Sequence, residues 1–550
     1  MHKQQEQQEH NPPACVPTPP LQLNQKKSMT NDQLRSEFKN LIWKTATDLV
    51  HGGKVSPVQF MDFMLGSLFY RFISENLTAH CNRLMAEAGV DAPDYAQMAD
   101  ADAEVARDQL VNEKGFFILP SQLFINVANR ARHDDELNAT LANIFRSIEG
   151  SAVGTASEGD VKGLFANFNT NDPGLGGTVK ERCRLLADLL ESVRDLNFAE
   201  YEKSGIDVFG TCYEHLIKMY ALNSGTKGGE FYTPAEVSYL LAKIAVAERS
   251  TVNKVYDPAC GSGSLLLNFK MVLGAENVKE GFFGQEIILK TYNLCRMNMF
   301  LHNVNYDHFD IQQGDTLMNP LHAADEPFDA IVSNPPYSTP WAGDSDATLI
   351  NDPRFSPAGV LAPKSKADMA FVMHILSWLS TEGTAAIVEF PGVLYRSGAE
   401  AKIREYLVRN NYVDTIIQLA PNMFFGATIA TCIIVLKKNK PDNRVLFIDA
   451  SAEFEHEGNK NRLSEANIER IYRAHIRKEE IPHFSAIVTT ADIADKKYNL
   501  SVSTYVEPED TTEEIDIAEL NARIARIVAR ENELRASIDD IVAQLEGGLA

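Results

Sequence analysis

Three short strand-like segments, each followed by an acid, constrain this chain more than anything else in it. Lys254-Val255-Tyr256-Asp257 runs into Pro258-Ala259-Cys260-Gly261-Ser262-Gly263-Ser264, and Leu265 to Val272 then carries a helical pattern. A strand, a turn of small residues and a helix make the first βα unit of a nucleotide-type α/β sheet. Its glycines let the backbone approach a ligand closely, and the helix start offers free N–H groups. Phe282-Phe283-Gly284-Gln285-Glu286 reads as the next strand. It ends in an acid roughly 20 residues on, the spacing of a ribose-hydroxyl acceptor. Ile311-Gln312-Gln313-Gly314-Asp315-Thr316 supplies a third acid after a third short strand. Any one of these acids alone reads as a helix cap; three at successive strand ends point to a bound adenosine.

A fourth apolar run, Phe328-Asp329-Ala330-Ile331-Val332-Ser333, is stopped by Asn334-Pro335-Pro336-Tyr337. Neither proline can donate to a ladder, so Asn334 stands where a strand ends and a loop begins. That carboxyl edge is where open α/β sheets bind ligands. The Asn334 side-chain oxygen and the Pro335 carbonyl can both accept hydrogen bonds from a planar –NH2 group. Tyr337 offers a face on which a flat ring can stack. The bland alternative is a tight turn with a packed tyrosine.

The remaining sequence narrows the class. With 550 residues, 44% of them hydrophobic, the chain has room for more than one domain and an ordinary core. No apolar run approaches membrane-spanning length, and the first residues lack a signal-peptide pattern. The seven cysteines include no Cys-x-x-Cys pair, which argues against a disulfide framework or zinc site and fits a reducing cytoplasm. The formal charge of −23 is the reverse of what a protein gripping DNA unaided usually carries.

Residues 1–30, rich in Gln, Pro and Asn, read as a disordered extension. Residues 31–205 read as an α-helical domain, opening on a helix that carries Leu34, Phe38 and Leu41. A second helix starts at Ser56-Pro57 with Phe60, Phe63, Met64, Phe69 and Phe72 as its apolar side. The polar runs Asn167–Asp172 and His133–Glu136 read as turns rather than metal sites. Residues 206–440 hold the α/β pattern, including a long Ser-, Pro- and Asp-rich loop over 338–368 beside the expected site. In the more polar 441–550 a heptad emerges, with Ile517, Leu520, Ile524, Ile527, Leu534, Ile538, Ile541 and Leu545 interrupted only by Glu531. So narrow a stripe calls for a partner helix, from this chain's own core or from another subunit.

These motifs, in this order, resemble the modification subunit of type I restriction–modification systems, an adenine-N6 DNA methyltransferase family. Asp257–Gly263 is similar to that family's S-adenosylmethionine loop, Asn334–Tyr337 to its catalytic tetrad and Gly229–Pro234 to its preceding cofactor segment. Met369–Glu400 and Tyr498-Asn499-Leu500-Ser501 also look typical, and the resemblance spans residues 31–545. Cys260 and Ser262 stand where other small residues are often seen. The resemblance implies a Rossmann-like, seven-stranded methyltransferase sheet with an antiparallel final strand. An α-helical domain would precede it and a C-terminal coiled-coil-like helix follow it.

It further implies catalysis by Asn334, Pro335, Pro336 and Tyr337, with no metal. S-adenosyl-L-methionine would be held by Glu230, Phe231, Tyr232, Thr233, Pro234, Asp257, Gly261, Ser262, Gly263, Ser264, Glu286 and Asp315. The implied partners are double-stranded DNA with a flipped adenine, a specificity subunit and, where present, a restriction subunit, with two copies of this chain per complex. Two alternatives stay open here. One is a methyltransferase of another phage-defence system; the other is a protein glutamine-N5 methyltransferase, whose substrate amide presents a similar –NH2.

Overall fold

A computed structural model describes residues 57–196, 208–223, 232–424, 428–509 and 517–547. The expected first helix around Leu34 lies outside these residues, as do Glu230 and Phe231.

The helical layer is built around α1 (Pro57–Glu87). Phe60, Met64, Leu68, Tyr70 and Ile73 are all buried, though they fall on different sides of the helix. A helix apolar all round belongs inside a layer, so α1 runs through its middle instead of presenting the single apolar side its phenylalanines suggest. Helices α2 (Leu137–Ser151) and α3 (Val179–Arg194) are the other long helices of the layer, α3 starting on a Thr178–Glu181 capping box. Arg71 of α1 donates to the carbonyls of Val193 and Leu196 and so satisfies the far end of α3. Asn167–Asp172 and His133–Glu136 are hydrogen-bonded turns, as expected.

The α/β region follows with α4 (Val208–Asn223), α5 (Ala235–Val246), β1 (Val252–Asp257), α6 (Ser264–Leu273), β2 (Val278–Glu286), α7 (Leu289–Leu301), β3 (Phe309–Gln313) and β4 (Phe328–Ser333). It continues through α8 (Asp368–Trp378), β5 (Leu379–Glu389), α9 (Ala399–Arg409), β6 (Val413–Gln418), β7 (Cys432–Lys437) and β8 (Arg444–Asp449). A small hairpin, β9 (Glu455–Glu457) and β10 (Lys460–Arg462), leads to α10 (Glu465–Arg477), β11 (Ser485–Thr489) and α11 (Ile517–Gly547).

The main sheet has the order β11-β8-β6-β7-β5-β4-β1-β2-β3. Strands β3, β2, β1, β4 and β5 are parallel neighbours, and β7 runs antiparallel between β5 and β6. The expected seven strands with their antiparallel finish are therefore present, but the sheet counts nine. The chain beyond residue 440 adds β8 parallel to β6 and then β11 antiparallel to β8. Val445, Leu446, Phe447 and Ile448 are buried there, covering what would otherwise be an open edge at β6. The expected domain limit at 440 thus falls between two strands of one sheet.

The helical layer and the sheet share a continuous apolar core. Phe300 at the end of α7 meets Phe69 and Phe116, with ring centroids 6.3 and 6.2 Å apart. Arg296, 1% exposed, donates to the carbonyls of Gly159, Asp160 and Lys162 from the same helix. Removing this guanidinium leaves three carbonyls short of a partner.

Helix α11 behaves differently. Ile517, Leu520, Ile524, Ile527, Leu534, Ile538 and Ile541 are all exposed, as are Val528 and Val542 beside them. No described part of this chain covers its stripe. Among the described residues no helix is long and apolar enough to cross a membrane.

Candidate active site

The parallel order brings the ends of β1, β2, β3 and β4 to one edge, which gathers the acids and Asn334 that the sequence singles out. The glycine loop after β1 is held in left-handed turns that favour glycine. Gly261 and Gly263 have φ of +54° and +81°, and a Cβ on Gly263 would stand 2.8 Å from Cys295 Sγ. The loop is tied down by Cys260 N donating to Gln285 O (3.1 Å) and Thr316 Oγ1 to Pro258 O (2.6 Å).

Glu286 ends β2 and is buried. Its Oε2 accepts from Gly261 N at 3.0 Å and its Oε1 from Ile288 N at 2.8 Å. Burial raises its pKa, which those backbone donors partly offset. Each oxygen keeps a lone pair for a ligand hydroxyl. Asp315 accepts from Leu317 N and Met318 N in the turn after β3. Asp257 is fully buried, with Oδ1 accepting from Ala259 N (3.0 Å) and Ser333 Oγ (3.1 Å). Its Oδ2 has no partner among the described residues, and burial pushes the carboxyl up to about 7.

These ends enclose a cavity of about 310 Å³ with Glu286 and Asp315 among apolar walls that include Ile287, Leu317, Trp341 and Phe371. Trp341 comes from the long loop after Tyr337. Its indole N–H donates to Pro363 O at 3.1 Å and its ring meets Phe355, so the loop is an ordered wall. Flat apolar sides with two acids at the strand ends suit a nucleoside bearing hydroxyl donors. Past Ala259 lies a narrow cleft lined by Gly261, Ser262 and Ser264 on one side and Thr233 and Asn334 on the other.

Asn334 is held at both ends of its amide. Nδ2 donates to Thr233 Oγ1 at 3.0 Å, and Oδ1 accepts from the Tyr337 hydroxyl. Thr233 and Pro234 lead directly into α5, which fixes the threonine, and Tyr232 is buried behind them. Burial raises the Tyr337 pKa well above its usual value, so the hydroxyl stays a donor. Its ring is turned edge-on to Phe390, centroids 5.4 Å apart, so stacking on a base requires the ring to expose a face. Pro335 and Pro336 follow at the strand end, and Pro336 also lines the cavity.

Of the expected site residues, the described ones converge on this edge. Sequence reasoning missed Glu214 and Asn298, which brace the glycine loop from behind, and Phe390, which backs Tyr337. It also missed Arg404, whose guanidinium donates to the carbonyls of Val393, Arg396 and Tyr498. That contact explains why the Met369–Glu400 and Tyr498–Ser501 motifs occur together.

Comparison with known proteins fits this geometry. The pattern described as N-6 DNA Methylase matches residues 204–514, and that of the HsdM N-terminal domain matches residues 38–193. The methylase subunit of the type I restriction enzyme MpnII from Mycoplasma pneumoniae is 45% identical over 527 residues, 93% of this chain and 97% of that one. The chain belongs to the N-6 DNA methylase family, among the methylase subunits of type I restriction enzymes. It is an adenine-specific DNA methyltransferase, and the glutamine-N5 alternative falls away. A solved type I methyltransferase subunit from Streptococcus thermophilus shares the fold with a TM-score of 0.77 at 32% identity. It covers 86% of this chain and all of its own. A modification subunit of a type I enzyme from Vibrio vulnificus, 19% identical over 83% of this chain and 93% of its own, has a TM-score of 0.57 and shares the fold alone.

Proposed function

We propose that this subunit methylates N6 of an adenine flipped out of duplex DNA, using S-adenosyl-L-methionine, with Asn334 and Pro335 accepting the two amine hydrogens. The observation that carries this reading is the placement of Asn334. Its amide forms one wall of the cleft whose other wall is the glycine loop, so a group held by Asn334 faces whatever the loop holds.

When bound, the cofactor supplies a methyl group on an electrophilic sulfonium. The cavity after β2 and β3 takes its nucleoside, with Glu286 accepting from the ribose hydroxyls and Asp315 beside it. Gly261, Ser262 and Ser264, with Gly263 between them, let the chain lie close along the cleft, and Thr233, flanked by Tyr232 and Pro234, also lines it. Glu230 and Phe231 extend that segment.

An adenine amine is a poor nucleophile because its lone pair is delocalised into the ring, and inside a duplex it is out of reach. Thr233 anchors Asn334 so that the amide oxygen keeps a fixed direction, and a carbonyl oxygen already accepting from Tyr337 retains a second lone pair for the amine. Two fixed acceptors favour the tetrahedral nitrogen that forms as the amine attacks. Pro336 holds the turn rigid, and Tyr337 stacks on the base once its ring leaves Phe390.

With a charge of −23 the chain leaves part of the DNA grip to others. The uncovered α11 stripe is where a specificity subunit docks, helix against helix. The assembly carries two copies of this chain and, where present, a restriction subunit, and it works in the cytoplasm. Deleting residues 515–550 should leave a folded protein that binds S-adenosylmethionine but neither co-purifies with the specificity subunit nor methylates DNA. Normal assembly and methylation by the truncated chain would refute the docking role.

A further inference from the structure

Away from the reacting groups, one buried histidine faces two carboxylates. His322, 0% exposed, lies in the connection from β3 to β4. Its Nε2 stands 3.0 Å from the carbonyl oxygen of Gly284 in β2. A carbonyl can only accept, so Nε2 carries the ring hydrogen. Nδ1 is then left with a lone pair and no donor among the described residues. It is turned instead towards acceptors, Asp325 Oδ2 at 3.0 Å and Asp310 Oδ2 at 3.8 Å. A lone pair and two carboxylate oxygens repel one another unless something positive joins them. That positive partner is a proton or a metal ion.

The surroundings favour the metal. The three ligand atoms lie within 4.8 Å of one another. Donors about 2.0–2.2 Å from a tetrahedral zinc ion stand roughly 3.3–3.6 Å apart, a spacing that the two distances from Nδ1 straddle. Each ligand is also oriented from behind, as metal ligands are. Gly284 O fixes the ring of His322, Gln312 Nε2 donates to Asp310 Oδ1 at 2.5 Å, and Asp325 N closes a turn onto His322 O at 3.1 Å. Lys254 Nζ goes to the main-chain carbonyl of Asp325 (2.7 Å) and to Glu280 (3.5 Å). No lysine or arginine among the described residues pairs with the carboxylate of Asp310 or Asp325. Their side chains are 42% and 33% exposed, which gives an ion a way in and leaves room for water as a further ligand.

We infer that Asp310, His322 and Asp325 bind a divalent cation of zinc character, through Nδ1 and the two Oδ2 atoms. One nitrogen with two oxygens suits such a borderline ion better than magnesium, which keeps to oxygen ligands. None of the three residues lines the cofactor cavity or the cleft, so the ion has no place in the methyl transfer. It ties the start of β3 to the connection that follows. That connection opens with Asp315, Thr316 and Leu317, which wall the cavity.

Calorimetric titration of the full chain, first stripped with a chelator, tests it with Zn²⁺ and Mg²⁺ as probes. The wild type should take up one zinc ion per chain, at least about 100-fold more tightly than the double variant Asp310→Ala, Asp325→Ala. Mg²⁺ at the same concentration should give no comparable uptake. Zn²⁺ should also raise the denaturation midpoint of the wild type and leave that of the variant where it was. Equal zinc binding by the two proteins would mean an adventitious ion only and overturn the site. No uptake by the wild type would make the positive partner a proton and the trio an ion pair, which overturns it too, as would a preference for Mg²⁺. Should the variant not fold, the wild type decides alone through Co²⁺. One equivalent must give the strong visible absorption of a four-coordinate site and lose it when one equivalent of Zn²⁺ is added. Weak absorption, as from six-coordinate Co²⁺ in water, would overturn the assignment.

Discussion

Asp257 and Asp414 belong to the same sheet and are almost equally buried, at 0% and 4% exposure, yet their carboxyls are driven in opposite directions. Burial pushes Asp257 up to about 7, against the pull of Ala259 N and Ser333 Oγ. Burial works on Asp414 too, but Lys478, 2.6 Å away, and Lys437 outweigh it and hold the carboxyl well below the usual range. On the β6 side the acid is structural, and the chain supplies its cations. At the ligand edge the chain supplies only neutral donors. Glu286 follows the second pattern, with backbone N–H partners and no pairing cation among the described residues. A charge left unbalanced at a sheet edge, in a cavity, is prepared for a ligand that brings donors of its own.

The contrast can be broken by substitution. Asp414→Ala takes the acceptor from the half-exposed Lys478, which keeps Thr415 Oγ1, and should cost about 1–3 kcal/mol of stability, read as a lowered denaturation midpoint. Glu286→Ala should weaken S-adenosylmethionine by about 10- to 100-fold in a calorimetric titration. Unchanged affinity would remove Glu286 from the cofactor site.

Asp257→Asn should have the smallest effect. Its amide oxygen can keep both present donors and its amide nitrogen takes the unpartnered position. Stability at pH 8 should therefore stay within about 1 kcal/mol of wild type or rise. The pH dependence separates the two acids further. A folded pKa near 7 for Asp257, above the usual 3.8, means that the folded state holds the proton longer, so this group's contribution is lost as pH climbs between those values. Asp414, with its lowered pKa, contributes above the usual carboxylate range and loses that contribution as pH falls. His475, buried with its pKa lowered to about 3 from 6.5, adds to the acid loss across that interval. Asp257→Asn should flatten the limb between about pH 4 and 7, seen in denaturation midpoints measured across pH. An unchanged limb would erase the contrast.

Much of the ligand edge was legible in the sequence because strand ends there are written by residues with one backbone meaning. The prolines after Asn334 stop β4, and the glycines of the loop mark left-handed turns, at Gly263 one that a side chain would block. The ninefold sheet was not legible. Arg444–Asp449 is a short apolar run inside a polar stretch, and only the open edge of β6 turns it into a strand. Glu214 escaped for a related reason, since an acid on a helix reads as a solvated flank until the packing of α4 against the glycine loop is known. The phenylalanines Phe60–Phe72 suggest one apolar side of α1, because periodicity cannot show that both sides of a helix are covered. The α11 stripe was legible as an unmatched surface, and its exposure along the described helix agrees with that reading.

The central claim is that Asn334 acts on the amine and not on the cofactor. The most direct measurement pairs two readouts on Asn334→Ala: adenine-N6 methylation of duplex DNA in the presence of the specificity subunit, and calorimetric binding of S-adenosylmethionine. A loss of about 10²–10³ in rate, or more, is expected with cofactor affinity nearly unchanged. Methylation at the wild-type rate, or a rate loss fully matched by lost cofactor binding, would contradict it.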